Sequence, residues 1–384
     1  MLFGKRMLRI THKFRLLHDS QYGSRPGRHA LGAVFMKLLS YEICRITRTP
    51  LASFDNDAKS CYDRIIIAMA MLLCQRAGMP VQACLMAAIC LQQAKYYVKT
   101  KFGISTSFYR STDESPTHGP GQGSRMGPVL WLLISCLLFA AMASLCTGAS
   151  FCNPQNSIQI QRTGDGFVDD VTNVCNFGFP TSLLINATPQ TLSVQLQREA
   201  QTWERLLWSA GGGALELNKC FYYILSWKFR PDGHPILLLP PQLPGCNIQL
   251  TSGLSPTLHA IQHKPCNVAH RTLGVWLAPT GASETQATQC LQRSQQITKG
   301  LRDNRLTRTQ AWMAYRHIWL PSVGYPLACS SLTTTQLSKI QNSAIRDFLP
   351  HLGFAWSFPW AVLYGPTQFS GFGLRTLHAH QGIE

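Results

Sequence analysis

Two adjacent carboxylates lie in the middle of a stretch that otherwise favours β-strands. Residues 164–173 read Gly-Asp-Gly-Phe-Val-Asp-Asp-Val-Thr-Asn, so Asp169 and Asp170 are flanked by short strand-forming runs. A tight turn between two strands would hold both side chains at its tip. An isolated ionised carboxylate in an apolar core costs more free energy than a fold can tolerate. The pair therefore needs water, a basic partner or a metal ion.

Two more segments upstream carry residues that suit a binding site. Residues 53–63 read Ser-Phe-Asp-Asn-Asp-Ala-Lys-Ser-Cys-Tyr-Asp and follow an apolar, strand-like run. Residues 119–124 read Gly-Pro-Gly-Gln-Gly-Ser, a loop whose glycines allow the backbone to approach a ligand closely. The chain between these segments is long enough for helices and returning strands.

Composition favours a large globular protein with a polyanionic partner. The chain has 384 residues, of which 45% are hydrophobic, and 35 Lys and Arg against 18 Asp and Glu give a net charge of +17. Such an excess of positive charge favours nucleic acid as the partner. The 14 cysteines contain no Cys-x-x-Cys pair, which is typical of free thiols in a reducing compartment. We therefore expect an intracellular protein, nuclear or cytoplasmic, and the sequence leaves its oligomeric state open.

Two features could instead indicate a membrane protein or a zinc protein. Residues 129–146 are almost all apolar and reach the lower length limit for a membrane span, but we predict a buried core helix that begins near Pro128 and no membrane partner. Four possible zinc ligands follow later in the chain, namely His259, His263, Cys266 and His270. Their spacing matches no structural zinc pattern, so a zinc site is not expected.

Apolar spacing and glycine or proline breaks predict the following elements. Helices are expected over residues 21–47, 62–77, 80–95 and 192–209, and another from about residue 283 to residue 301. A strand pair is expected over residues 96–109 and a strand over residues 215–229.

In this order, the acidic strand, the Gln-Gly loop and the aromatic-Val-Asp-Asp turn resemble the palm of a reverse transcriptase of the non-long-terminal-repeat retrotransposon type. The resemblance spans about residues 20–380. It implies an α+β fold of the right-hand polymerase type, with an antiparallel palm sheet, packed helices, partial fingers and a helical thumb. The implied division is partial fingers over 1–50, palm over 51–230, an insertion with a primer-grip-like strand over 231–280, and thumb with a C-terminal extension over 281–384.

The resemblance also implies a two-metal site. In the family, an aromatic residue and a second Asp follow the first metal ligand by five and six positions, which matches Asp57, Tyr62 and Asp63. Asp55 lies two residues earlier on the same strand face, so the first ligand could be either carboxylate. Asp57, Asp169 and Asp170 would hold two Mg²⁺ ions, for which Mn²⁺ can substitute.

The remaining implied site residues bind the nucleotide and the nucleic acid. A bulky aromatic at Tyr62 would exclude a 2′-hydroxyl and so select deoxynucleotides, and Lys219 would donate a proton to the leaving pyrophosphate. The nucleotide pocket would be lined by Ala58, Tyr62, Gln122 and Gly123. Contacts to nucleic acid would come from Arg25, Arg28, Leu273 and Gly274.

The implied activity is RNA-directed DNA polymerisation from deoxynucleoside triphosphates (dNTPs), with an RNA template and a DNA primer as partners. The family's first fingers motif, with the basic residues that grip the triphosphate, would lie before Gln21, where little chain is present. The alternative is therefore a catalytically inactive retroelement remnant that binds nucleic acid.

Overall fold

The longest strand, β1 (Leu51–Lys59), runs through the centre of the main sheet. In the computed structural model the described residues are 2–112, 119–121, 123–153, 155, 157–177 and 188–383. Two compact units divide them, Met1–Cys266 and Asn267–Glu384. The finer division into fingers, palm and thumb stays a prediction.

The helices of the first unit are α1 (Leu2–Lys13), α2 (Ala30–Thr47), α3 (Ile67–Arg76), α4 (Val81–Gln92), α5 (Gly127–Leu145) and α6 (Pro189–Gly211). Its strands after β1 are β2 (Lys99–Thr100), β3 (Gly103–Ile104), β4 (Ala149–Cys152), β5 (Gln159–Arg162), β6 (Gly164–Phe167), β7 (Asp170–Asn176), β8 (Ala214–Leu215), β9 (Phe221–Leu225), β10 (Trp227–Phe229), β11 (Pro235–Leu237), β12 (Gln249–Leu250), β13 (His259–Ala260) and β14 (Gln262–His263).

The main sheet has the strand order β14-β9-β1-β7-β6, and β8 pairs with the end of β1. Every pairing in it is antiparallel except that of β14 with β9. Because side chains alternate along a strand, the two faces of β1 enter different cores. Ala52 and Phe54 pack in the core that holds α5 and α6. On the opposite face, Leu51 joins the core under α2, where the Tyr41 hydroxyl lies 2.9 Å from the Ser53 hydroxyl.

Helix α5 is apolar around most of its circumference because it is packed on several sides. Leu130, Leu138 and Phe139 are completely buried, and α5 contacts α1, α3 and α6. Of the described helices, only α5 is long and apolar enough to cross a membrane by length and composition. Packing inside the first unit therefore explains the apolar composition of α5.

Three sequence predictions of element boundaries are wrong. Helix α2 begins at Ala30 instead of residue 21, because Tyr22 pairs with Gly166 of β6 through its backbone N–H (2.8 Å). Helix α3 begins at Ile67 instead of residue 62. The strand expected over residues 215–229 is split into three by a 3₁₀ turn, Leu217–Lys219, and a break before Trp227, so Lys219 lies on the turn.

The second unit consists of helices and a short hairpin. Its helices are α7 (Glu284–Asp303), α8 (Arg308–Ala314), α9 (Leu320–Gly324), α10 (Thr334–His351), α11 (Trp360–Tyr364) and α12 (Leu377–Ile383), with a π-helical segment, Tyr315–Trp319, between α8 and α9. They pack around Trp319 and Phe348, both completely buried. The hairpin pairs β15 (His270–Thr272) with β16 (Val275–Leu277). The chain is therefore of the mixed α+β class, with a central sheet and packed helices.

Candidate active site

The register of the main sheet brings the two acidic segments together. Asp57 on β1 is the direct partner of Asp170 on β7, and Asp55 is the partner of Thr172. Directly paired residues of an antiparallel sheet project from the same face. The carboxylates of Asp55, Asp57 and Asp170 therefore share one face of the sheet, at the end of β1 where β7 begins.

Asp169 lies beside them in the two-residue turn, Val168–Asp169, that joins β6 to β7. Val168 has a φ of 62°, a left-handed conformation that is strained for a β-branched residue. Hydrogen bonds fix the turn: Trp131 Nε1 and Gln21 Nε2 donate to the Val168 carbonyl (2.6 and 3.3 Å), the Val168 N–H donates to Gln21 Oε1 (3.2 Å), and the Ala58 N–H donates to the Asp169 carbonyl (3.3 Å). Strain of this kind persists only where the surroundings hold it, as they do here.

A cavity of about 310 Å³ opens where these elements meet. Asp57 and Asp169 reach it from two separate segments of chain, and Tyr62 and Lys219 complete its wall. The other lining residues are Ala58, Lys59, Ser60, Cys61, Asp63 and Glu216. The structure thus brings six of the predicted site residues together. Asp170 is paired with Asp57, and five line the cavity, namely Asp57, Ala58, Tyr62, Asp169 and Lys219.

The carboxylates of Asp169 and Asp170 lie close to other negative charges. The pKa of Asp169 is raised, chiefly because burial disfavours the ionised form, and the neighbouring Asp57 raises it further. For Asp170 burial, followed by Asp169 and Asp57, raises the pKa to about 6. Added positive charge would stabilise the ionised forms of both groups.

Lys219 supplies one such charge. Its Nζ lies 2.6 Å from Oδ2 of Asp57, and this hydrogen bond is the main reason why the lysine pKa is raised. The lysine side chain is largely exposed, so the ion pair is open to solvent and can exchange partners. The 3₁₀ turn that carries Lys219 is attached to β1 by the Glu216 N–H, which donates to the Asp57 carbonyl at 2.9 Å.

Asp55 has a different environment from Asp57, although both project from the same face. Its carboxylate is ion-paired with the buried Lys37 of α2 and accepts a hydrogen bond from the Thr172 hydroxyl (2.7 Å). It is 7% exposed and does not line the cavity among the described residues. Asp57, not Asp55, is therefore the carboxylate of β1 that a ligand in the cavity would meet.

Tyr62 lies between the cavity and Gly119, the first residue of the Gln-Gly loop. A Cβ atom at Gly119, which has a φ of 71°, would overlap the Tyr62 carbonyl oxygen, so only glycine fits there. At the first residue of α5, Gly127, a Cβ would lie 3.2 Å from the Tyr62 ring. Burial raises the pKa of the Tyr62 hydroxyl to about 12, so it stays protonated near neutral pH.

Several predicted site residues lie elsewhere or are not described. Gln122 is outside the described residues, and Gly123 is not in the described lining of the cavity. Leu273 and Gly274 form the turn of the β15–β16 hairpin in the second unit, with φ values of 48° and 93°. Their predicted contact with nucleic acid stays a prediction.

The two predicted phosphate-binding arginines are engaged within the fold. Arg25 donates from Nη1 to the carbonyl of His18 at 2.6 Å, and its side chain is only 10% exposed. Arg28 pairs with Asp19 at 3.0 Å and lies over the Tyr22 ring. Arg28 is the more accessible of the two, and Arg25 serves mainly to order the segment before α2.

The carboxylates at the cavity are chemically suited to bind a hard divalent cation. Asp57, Asp169 and Asp170 offer carboxylate oxygens, the preferred ligands of Mg²⁺, and their mutual repulsion is what a cation would relieve. Among the described residues no three His, Cys, Asp or Glu side chains converge closely enough to hold a metal ion. The Lys219 ammonium holds the cationic position at Asp57.

Of the four residues considered as zinc ligands, His263 and Cys266 pack within the first unit. His263 stacks on Tyr222 with ring centroids 4.5 Å apart, and the Cys266 thiol donates to the Ile224 carbonyl at 3.1 Å. His270 lies beyond the boundary of the unit, on β15.

Sequence reasoning missed Gln21 as a support of the site. Its side chain is completely buried, and Oε1 accepts from the backbone N–H groups of Gly23 (2.8 Å) and Val168 (3.2 Å). Nε2 donates to the hydroxyl of Ser135 on α5 at 2.9 Å. The sequence around Gln21 gives no signal for this role, because Ser135 and Val168 lie more than a hundred residues away along the chain.

We expect Gln21→Ala to lower the free energy of unfolding by about 1–3 kcal/mol, since it leaves buried backbone donors without an acceptor. Urea unfolding followed by circular dichroism measures the loss. Gln82→Ala, on the exposed side of α4, is the matched control and should change stability by less than about 0.5 kcal/mol. Equal losses in the two variants would contradict the role given to Gln21.

No sequence model of a known protein family and no curated protein sequence matches the chain. Among solved structures, similarity is found to apo telomerase from Candida tropicalis truncated from its C-terminal domain, with a TM-score of 0.37 and 13% identity, over 58% of this chain and 39% of that one. Telomerase from Candida albicans, in complex with the TWJ fragment of telomeric RNA, matches with a TM-score of 0.37 and 12% identity, over 92% of this chain and 53% of that one. The corresponding Candida tropicalis complex gives 0.38 and 11%, over 58% and 33%. The chain thus spans between a third and about half of these telomerases, and at such scores the likeness does not establish its family.

Proposed function

We propose that this chain is the polymerase domain of a retroelement reverse transcriptase, of the non-long-terminal-repeat type, which adds deoxynucleotides to a primer on an RNA template. The single observation that carries the proposal is the convergence of Asp57 and Asp169 on one cavity beside Lys219 and Tyr62. The central sheet with α5 and α6 would be the palm, and the helices of the second unit would be the thumb.

Asp57, Asp169 and Asp170 would hold two Mg²⁺ ions. When bound, such ions lower the pKa of the attacking 3′-hydroxyl and neutralise charge on the phosphate and the leaving pyrophosphate. The chain's own contribution is to present three carboxylates, two on the paired strands β1 and β7 and one on the turn that joins β6 to β7. The hydrogen bonds of Val168 and Asp169 keep that turn fixed.

Lys219 and Tyr62 would act on the nucleotide itself. Lys219, exposed beside the acidic pair, would donate a proton to the leaving pyrophosphate. Like an ordinary lysine it is protonated near neutral pH, and the hydrogen bond to Asp57 raises its pKa further. The Tyr62 ring fills one wall of the cavity and is backed by Gly127, so it could not easily move away from a ribose 2′-hydroxyl. We infer selection of dNTPs over ribonucleotides.

The experiment is extension of a labelled DNA primer annealed to an RNA template by the purified full chain, with dNTPs and Mg²⁺. Extension that EDTA abolishes, and that the variant Asp169→Ala/Asp170→Ala lacks, is the expected result. Equal extension by the double variant would reject the assigned site.

One observation favours a second candidate, a nucleic-acid-binding protein without catalysis. The Lys219 ammonium is already bound to Asp57, and no three ligands converge among the described side chains. In that case the chain would bind the primer–template duplex but would not extend it under any divalent cation. The same assay therefore separates the two functions.

Cation binding should depend on pH. Protonated carboxyl groups are poor ligands, so Mn²⁺ binding, followed by loss of the free-ion electron paramagnetic resonance signal, should strengthen as pH rises through about 6, the pKa of Asp170. This folded-state pKa lies above the ordinary aspartate pKa of 3.8, so in the cation-free protein the stabilising contribution of the neutral form is present at low pH and is lost as pH rises through about 6. Affinity that stays constant between pH 5 and 7 would contradict this prediction.

A further inference from the structure

A basic, aromatic hairpin projects between α4 and the glycine loop. We call residues 95–110 the aromatic hairpin. They include four cationic side chains and no acidic one, and aromatic residues stand between the cations. The cations are Lys95, Lys99, Lys101 and Arg110, and the aromatics are Tyr96, Tyr97, Phe102, Phe108 and Tyr109. None of these residues belongs to the cavity described above.

The stem of the aromatic hairpin is ordered by backbone pairing. Tyr96 and Tyr109 exchange two hydrogen bonds, of 2.9 and 3.0 Å, and their rings stack with centroids 5.1 Å apart. Further along, Ser105 N–H donates to the Val98 carbonyl at 2.9 Å before β2 and β3 pair at the tip. The rings are therefore presented on a defined scaffold.

Four of the five aromatic residues of the aromatic hairpin are exposed to solvent. Phe102, at the tip, is 88% exposed, and Tyr97 and Tyr109 are 50% and 58% exposed. Single exposed apolar residues are ordinary, but a cluster of this kind on one short element is typical of an interaction surface. Exposure alone does not say what the partner is.

The charges of the aromatic hairpin identify the class of partner. Lys95 Nζ lies 4.5 Å from the Phe108 ring centroid, and Lys101 Nζ lies 4.9 Å from that of Phe102. No salt bridge reaches Lys95, Lys99, Lys101 or Arg110 from the described part of the chain. Cations that no described acidic side chain pairs with, beside exposed aromatic rings, match a polyanion that also carries flat rings. Single-stranded nucleic acid has both features, whereas an apolar protein surface lacks the negative charge.

We propose that the aromatic hairpin binds single-stranded nucleic acid, with bases stacked on Tyr97 and Phe102 and phosphates paired with Lys99, Lys101 and Arg110. The choice of RNA as the natural strand rests on the proposed function, in which the unpaired template must be held outside the cavity. The stacking and charge argument is independent of catalysis.

The test measures binding of a fluorescein-labelled 20-nucleotide oligouridine to the full chain by anisotropy, without dNTPs or divalent cations. We expect Tyr97→Ala/Phe102→Ala to weaken binding at least ~10-fold, because each stacked base contributes substantially to affinity. For Lys99→Ala/Lys101→Ala we expect the slope of log affinity against log salt to fall by about 0.7 for each lost phosphate contact.

Matched controls come from the second unit. Phe369→Ala removes a phenylalanine that is 77% exposed, and Lys339→Ala removes an exposed lysine from α10, so both should bind like the wild type. Hairpin variants that bind like these controls, or a wild type that does not bind, would overturn the proposal. If the aromatic variant changed only the sedimentation coefficient, the surface would be a protein interface, and the proposal would again be wrong.

The experiments can reject the proposed polymerase activity and the proposed binding by the aromatic hairpin independently of each other. Asp57→Asn should bind oligouridine as tightly as the wild type, since the hairpin does not involve the cavity. A wild type that cannot extend a primer, but whose hairpin variants weaken binding, would reject the polymerase and retain the hairpin site.

Discussion

Asp57→Asn is expected to lower primer extension at least ~10³-fold and to leave the melting temperature close to that of the wild type. Loss of one carboxylate from a two-metal site removes several kcal/mol of transition-state stabilisation, and each 1.36 kcal/mol is about a tenfold change in rate. Asn keeps the size of the side chain, and Asp57 sits at the cavity wall, outside the apolar core. The measurement is single-nucleotide extension with protein in excess over primer.

Asp55→Asn is the matched control, since it makes the same chemical change two residues away on the same face. The carboxylate lost there pairs with Lys37 inside the fold, so we expect a lower melting temperature and extension within about tenfold of the wild type for the folded protein. The reverse outcome, an inactive but stable Asp55→Asn beside an active Asp57→Asn, would move the first metal ligand to Asp55.

The sequence predicts only part of the difference between Asp55 and Asp57. The family's spacing to Tyr62 favours Asp57, but strand periodicity puts both carboxylates on one face and cannot separate them. The register does so, because Asp57 faces Asp170 at the open end of the strand and Asp55 lies under α2. Register depends on long-range pairing, which local residue patterns do not encode.

The start of α2 was predicted too early, although the sequence carries a signal for a later start. Gly23, Pro26 and Gly27 disfavour a helix over residues 21–28, and Tyr22 pairs with the backbone of Gly166. The hairpin that carries Asp169 was predictable, because two carboxylates between strand-forming runs favour a turn. The left-handed Val168 was not, since valine rarely adopts positive φ and the hydrogen bonds that hold it come from Gln21 and Trp131.

Lys37 gave a sequence signal that is clear only in retrospect. It shares the helical spacing of Val34, Tyr41 and Cys44, all of which are buried on the face of α2 that meets the sheet. A lysine on such a face needs an anion opposite, and Asp55 on the neighbouring strand is that anion. The sequence alone indicates that Lys37 needs an anion, but it does not identify Asp55 as that anion.

The last large effect concerns this buried pair. Lys37→Met is expected to lower the free energy of unfolding by about 3–5 kcal/mol, because it leaves the Asp55 carboxylate buried without its cation. Oδ2 of Asp55 already has no protein hydrogen-bond partner among the described residues, so little else can compensate. Urea unfolding followed by circular dichroism measures the loss.

The double variant Lys37→Met/Asp55→Leu separates a lost charge partner from lost packing. An apolar pair in place of a buried ion pair is often neutral or stabilising, so most of the lost stability should return. Primer extension should return with it, because the cavity carboxylates are unchanged and Asp55 is not among the proposed ligands. A single variant within about 1 kcal/mol of the wild type would show that the ion pair is not needed for folding. A stable double variant that no longer extends would mean instead that Asp55 and Lys37 act on the reaction through the position of Asp57, two residues along the same strand.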